Sequence, residues 1–483
     1  MIRSGYVLAG FETLATIMDL FMTGQRGRWN DNFTREDISK FLSSTCSGFL
    51  HSYGQNFPNK KKYDKYSQSE ANMFKKCRDM RIFDDCNFIV DSGGFQISVG
   101  KLTRRESDLL LSMYYEFIKE HHEVFDKAFI LDIPPGPGCE IFKNFNDVYK
   151  LNLDSYMKAK ELPDEIRKKM IYIHHFRTPK LWKIYTKIMR EYDMFSSFEY
   201  HGTGGIVANM ASDMTIPCII YVLPLIPLIN EAMKHGKNYL NFHILGGANF
   251  RDVLFYELFR ITAKKKHNFD LNITYDSSGP YKQVMHARFL HAKDNQGYIR
   301  KMSIKPKDMH QSFYEGKRGD NGIWLDDGID GITTENHYQK LMNDLADKWG
   351  FKRINLDTGY GMYANKSGIM TETFHADVKA YSTLYALNIY SEIHHEMREF
   401  AEKVYPIYES GSMEDFYNEC WHITRIINQG KLTKKQKVKA YSIPKSLDML
   451  GSLDEDYCEY LVNRYLSKDE FIELDDKTRI LTC

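Results

Sequence analysis

Asn87-Phe88-Ile89-Val90-Asp91-Ser92-Gly93-Gly94-Phe95-Gln96 runs through apolar residues of strand type and then breaks into a carboxylate, a hydroxyl and two glycines. A short apolar run closed by a Ser/Gly turn reads as a buried strand, and the helical pattern at 105–121 completes a βα unit. The same alternation continues downstream. Strand candidates lie at 128–132, 171–175, 198–201, 241–245 and 271–276, and five of the six-strand set's intervals hold something helix-like, such as 249–265. Upstream, 5–10 and 48–53 supply two more. Eight strands in roughly the first 290 residues suit an α/β chain folded as a (β/α)8 TIM-type barrel, whose usual length is ~250 residues. An open doubly wound sheet shows the same alternation, and periodicity alone does not separate the two.

After Ala292 the character changes. A Gly/Asp-rich stretch at 319–334 precedes helical patterns at 338–349 and 375–407. The expected organisation is therefore a barrel over 1–290 and a mainly helical region over 291–483. Residues 430–445 carry Lys431, Lys434, Lys435, Lys437, Lys439 and Lys445 with Tyr441 close by. Such a run is either a solvated face or an element that tracks a phosphate backbone.

Composition bounds the function. With 43% hydrophobic residues in 483, the chain can bury a large core. Its 65 Lys+Arg nearly cancel its 64 Asp+Glu, so contact with phosphates must come from local clusters. The longest apolar run, 216–229, is broken by Pro217, Pro224 and Pro227 and is too short to span a bilayer, so no membrane partner is expected. The first residues lack the pattern of a secretory signal, and the eight cysteines are scattered without a CxxC pair, which reads as reduced thiols. The expected location is cytoplasmic, in the host cytoplasm if the abundance of Lys, Asn, Tyr and Phe reflects an AT-rich phage genome.

Several strand ends carry polar groups where more core would otherwise continue. Asp91, Asp132 and Asp276 end three strands, His174 and His175 end a fourth, and Gly204-Gly205 follow His201. In a barrel the C-terminal strand ends share one rim. Three carboxylates there converge on a pocket and can supply a nucleophile, an acid/base and an acceptor for a purine edge. The glycines beside Asp91 leave room for a flat ligand, with Phe95 to stack on it. Singly, each Asp reads equally as a turn former or helix cap.

Taken in order, these motifs resemble the tRNA-guanine transglycosylase superfamily. Its DSGGFQ signature is intact at 91–96. Thr203-Gly204-Gly205-Ile206, His243-Ile244-Leu245-Gly246-Gly247 and Tyr275-Asp276-Ser277-Ser278-Gly279-Pro280 are similar to its later strand ends. The resemblance implies that Asp276 attacks C1′ of the target nucleotide to form a covalent glycosyl-aspartate and that Asp91 is general acid/base. It further implies that Asp132 reads the Watson–Crick edge of the base and that Phe95 and Leu245 sandwich the ring. Gly204 and Gly205 meet its other polar atoms, while Ser92 and Gln96 support the site. The target base must leave its stack to reach such a pocket.

Departures from the family pattern shape the rest of the expectation. His174 stands where the family has a base-reading glutamine, and Lys282 stands where it has a phosphate-binding arginine. The family's structural zinc needs CxCxxC and a later histidine, yet no cysteine lies between Cys218 and Cys420. The stretch 384–395 resembles the zinc-histidine helix, with His394 or His395 in place, so packing is expected to replace the ion. No metal and no cofactor are expected. Because the zinc region helps the tRNA enzymes hold tRNA, its loss favours the branch found in phages and bacterial genomic islands. That branch inserts 7-deazaguanines, such as 7-cyano-7-deazaguanine, into DNA. A tRNA enzyme and a non-catalytic nucleic-acid-binding paralogue are the alternatives, and retention of both Asp91 and Asp276 speaks against the second. A glycoside hydrolase with two carboxylates leaves Phe95 and the paired glycines without a purpose. Dimerisation is common in the family, so a homodimer is to be considered.

Overall fold

The computed structural model describes residues 5–465 apart from most of 11–32, then 58–64, 135–144, 176–178, 205–216, 280–288, 304–333, 354–359, 365–369 and a few single positions. Eight parallel strands close in sequence order. They are β1 (Gly5–Ala9), β2 (Gly48–Ser52), β3 (Asn87–Asp91), β4 (Lys127–Phe129), β5 (Met170–Ile173), β6 (Tyr200–Thr203), β7 (Tyr239–Ile244) and β8 (Asp270–Ser277). β8 pairs with β1, Tyr275 beside Tyr6 and Asp276 beside Val7. That ladder makes the sheet a closed barrel rather than an open one.

The strands read as unbroken apolar runs because both of their faces are covered. Val7, Leu50, Ile89, Phe129, Ile171, Ile173 and Tyr200 point inward and fill the barrel. Their neighbours, among them Leu8, Phe49, Phe88, Val90 and Tyr172, face the helices and join the larger core. β7 and β8 break this pattern with a polar inner face. Asn241 stands opposite Asn272 and His243 opposite Thr274, and each pair is hydrogen-bonded, at 3.1 and 2.8 Å.

Helices α1 (Arg35–Thr45), α2 (Tyr66–Asp79), α3 (Arg104–Glu120), α4 (Phe145–Lys160), α5 (Pro179–Glu191), α6 (Leu225–Lys234) and α7 (Phe250–His267) follow the first seven strands. Local chemistry sets their ends. Thr34 with Asp37 and Thr103 with Glu106 form reciprocal capping boxes at the starts of α1 and α3. α7 gathers Lys264, Lys265, Lys266 and His267 in its last turn, where the helix dipole favours cations. In the apolar run, Pro217–Val222 form a short helix and residue 225 opens α6, and Cys218–Leu223 with Leu225, Ile226, Leu228 and Ile229 pack into the core. Among the described residues no helix is long and apolar enough to cross a membrane.

The helix that follows β8 in the ring comes late. Helix α8 (Ala376–Glu409) lies between α7 and α1. Arg398 reaches Glu257 of α7 at 3.0 Å, the Tyr390 ring lies 4.7 Å from Phe250, and Tyr381 lies 5.0 Å from Phe33 just before α1. Residues 278–375 are thus an insertion between the eighth strand and its helix. The boundary expected at 290 marks that insertion and not a second core, because one apolar cluster extends from Tyr6 to Leu461. Among the described residues, 291–483 are mainly helical, as expected, and the insertion adds strands to them. Beside the helix Thr334–Trp349 it holds two antiparallel hairpins, β9 (Phe289–Lys293) with β10 (Ile299–Ser303) and β11 (Tyr360–Ala364) with β12 (Met370–Phe374). Beyond α8 the chain is helical, with α9 (Met413–Ile427), α10 (Ser442–Ser452) and α11 (Glu455–Tyr465).

Candidate active site

Asp91 is two residues beyond Ile89 on β3 and shares its inward direction. The turn after it is drawn tightly onto both neighbouring strand ends. Gly93 has φ of +87°, and a Cβ there would stand 2.3 Å from Gly54 Cα. A Cβ on Gly94 would stand 1.5 Å from the Asp132 carbonyl oxygen. The paired glycines are therefore demanded by backbone meeting backbone, which brings Asp91 and Asp132 to one place; the room they leave is taken by the protein's own chain. Ser92 is buried, its Oγ accepting from Gly94 N–H at 3.4 Å. Gln96 is half-buried, and Phe95 is 51% exposed on the short helix Gly94–Ser98.

Three carboxyl groups meet at this end of the barrel. Burial raises Asp91 to about 6, with the charges of Asp132 and Asp276 pushing the same way and Ser52 and the Gly93 backbone opposing. Asp132 is 5% exposed, with His175 Nε2 3.0 Å from its Oδ2. Asn152 holds the chain beside it, accepting from Ile133 N–H at 2.7 Å and donating to Ile133 O at 3.1 Å. Asp276 is 8% exposed. Its Oδ1 accepts from Gly246 N–H at 2.7 Å and lies 3.3 Å from His243 Nε2, while His243 Nδ1 is 2.8 Å from Thr274 Oγ1. If the Thr274 hydroxyl donates to Nδ1, the proton sits on Nε2 and points at Asp276.

Gly204 joins the same group. A Cβ there would lie 3.2 Å from Leu245 Cδ1, 3.6 Å from Asp132 Oδ2 and 3.7 Å from His175 Cε1. Leu245 is half-buried against the barrel interior, its N–H bonded to Thr203 O at 3.0 Å. Gly205 and Lys282 lie outside the described residues.

One assignment is corrected. His174 does not face the site. It shares the direction of Tyr172, outward into the helix layer, and its ring lies 6.2 Å from that of Tyr185. It is fully buried, and burial together with the nearby His175 lowers it to about 3. The next residue, His175, shares the direction of Ile171 and Ile173 and meets Asp132. A shift of one residue along a strand exchanges inside for outside. His243 is a second member that the sequence left without a role; its signal was a histidine two residues before Leu245 on an inward register.

Of the two histidines noted on α8, His394 is buried among rings and His395 is exposed. Tyr6, Phe250, Tyr275 and Tyr390 surround His394 at centroid distances of 5.7, 6.0, 5.3 and 5.9 Å. Burial, with Arg398 adding to it, lowers the imidazole to about 3. Among the described residues no three His, Cys, Asp or Glu side chains stand close enough to hold a metal ion.

Fold and site thus define a closed parallel barrel with a carboxylate-lined mouth. Set against protein-family models and curated proteins, the chain matches neither any family model nor any curated sequence.

Proposed function

We propose that the chain is a base-exchange transglycosylase, related to the tRNA-guanine transglycosylase superfamily, that replaces guanine in DNA with a 7-deazaguanine. One observation carries the reading: three inward carboxyl groups share one barrel rim, yet their surroundings differ. Asp91 is held near 6 by burial and by its two acidic neighbours, which suits a group that must give and take a proton near neutrality. Asp276 instead meets the Gly246 N–H and the His243 ring, which suits a nucleophile that must be held and aimed.

In the exchange, Asp276 attacks C1′ as the bond from C1′ to guanine N9 breaks, and protonated Asp91 gives its proton to the departing base. The incoming base then attacks C1′ through N9 and yields its N9 proton to Asp91, and the ester to Asp276 breaks. Asp132, oriented by His175, accepts from N1–H and the exocyclic amine of either base. Phe95 and Leu245 offer apolar surfaces for the ring. All steps use side chains of this chain and require no cofactor.

Incubation with labelled guanine or 7-cyano-7-deazaguanine and either duplex DNA or tRNA tests the reading. Label entering DNA is expected; label entering tRNA alone moves the substrate to tRNA, and label entering neither refutes the reading. Asp276→Ala is expected to remove at least about 10³-fold of the exchange rate together with any covalent adduct.

A further inference from the structure

The basic segment 430–445 is described apart from 435, 436, 438 and 439, so that Lys435 and Lys439 lie outside the described residues. α8 begins at the barrel mouth and ends at the opposite face, where Glu409 pairs with Lys265 of α7 at 2.7 Å. α9 runs back antiparallel to it, Glu419 pairing with Lys403 at 3.1 Å and Phe416 packing on Tyr408. After α9, Gly430 rests against the Tyr298 ring in the β9–β10 turn. That hairpin follows β8, and its His291 ring is 5.3 Å from Phe250, the first residue of α7. α10 then descends until Leu450 O meets His267 Nε2 at 2.9 Å, at the far end of α7. The turn from α9 to α10 thus begins at Gly430 beside the β9–β10 turn and ends at Tyr441 beside Tyr417, on the outer side of α8.

Two independent features mark this turn. Arg425, Lys431, Lys434 and Lys437 are exposed, and residues 430–445 contain no Asp or Glu. Beside them Tyr441 is 49% exposed. Its ring is propped by Tyr417 at 4.5 Å and Trp421 at 6.0 Å, and Lys437 Nζ lies 5.2 Å over the Trp421 ring. A merely solvated lysine face needs no half-exposed tyrosine propped edge-on against two other aromatic rings. Cations beside an aromatic platform match a polymer of phosphates that also offers flat, unstacked bases.

We propose that the α9–α10 turn is a docking surface for DNA, with Arg425, Lys431, Lys434 and Lys437 meeting successive phosphates and Tyr441 receiving an unpaired base. The choice of DNA rests on the exchange reading above; the surface itself does not require the exchange.

The test is the anisotropy of a labelled DNA duplex carrying one unpaired nucleotide, titrated with the full chain over a salt series and without any incoming base. Lys431→Gln, Lys434→Gln and Lys437→Gln together are expected to weaken binding about tenfold or more and to reduce the slope of log Kd against log salt by about three. Lys119→Gln, Lys158→Gln and Lys168→Gln, exposed near the ends of α3 and α4 and just before β5, remove equal charge and are expected to change neither. Tyr441→Ala is expected to lower affinity about tenfold while leaving the salt slope unaltered. Equal effects from the two lysine sets overturn the proposal, as does a loss confined to tRNA or to anionic vesicles. A chain that binds DNA through this turn yet exchanges no base refutes the transglycosylase reading and leaves the surface standing. Exchange and binding that persist unchanged in the α9–α10 variants refute the surface alone.

Discussion

At the scale of single residues, the site depends on which way a side chain points and on what surrounds it. Asp91 near 6 makes a two-sided prediction. Transfer from nucleic acid to Asp276 needs the protonated form, so kcat/KM for the polymer falls as pH rises through about 6. Capture of the incoming base needs the carboxylate, so kcat/KM for the base falls as pH drops through the same value. Asp91→Asn is expected to flatten both limbs and to slow both half-reactions by about 10²- to 10⁴-fold, which steady-state kinetics on each substrate would show. The two histidines at the end of β5 give a second. His175→Ala should raise KM for the base about tenfold or more through Asp132, whereas His174→Phe should change the melting temperature and leave KM alone. The reverse pattern would return the base-reading role to His174. Nothing in the sequence distinguishes these neighbours, because β5 is apolar on both faces and offers no polar alternation from which to read inside and outside.

Elements act as clamps. The DSGG turn is legible as a motif, yet its glycines serve the close approach of β2, β3 and β4. Gly94→Ala would drive a methyl group into the Asp132 backbone, so a loss of about 3 kcal/mol of stability is expected. Denaturant unfolding would check it, and a fully stable variant would show that the turn can yield. The hairpins of the insertion carried a readable signal, in Asp294-Asn295-Gln296-Gly297 and Asn365-Lys366-Ser367-Gly368 between short alternating runs. Lying outside the barrel's alternation of strand and helix, they were absorbed into an expected helical region. α8 shows the opposite case, a helix plain in the sequence at 375–407 whose place in the ring was not.

At the scale of the whole molecule, burial of neutral histidines sets the response to acid. His174, His201 and His394 are each lowered to about 3, chiefly by burial. The unfolded chain takes protons on such rings below about 6.5, whereas the folded chain refuses them down to about 3. Their contribution to stability is therefore complete above pH 6.5 and lost as pH falls through that window. Asp91 works in the other direction, since its raised value favours the folded state while it is protonated. Calorimetry between pH 7 and 4 should show a falling melting temperature, and His394→Phe, placed among aromatic rings, should remove about a third of the histidine share of that slope. An unchanged slope would mean that the ring is not held neutral.

What the sequence by itself determined is local: eight short strands, the helices between them, and a carboxylate at the end of three strands. Apolar runs, caps and turn residues act over a few positions and survive as pattern. The tertiary structure alone decided that β8 closes on β1, that residues 376–409 supply the missing helix, that His175 and not His174 meets Asp132, and that His243 attends Asp276. Each of these depends on contacts between residues far apart in the chain, and on the shared register of a closed sheet, which no single segment encodes.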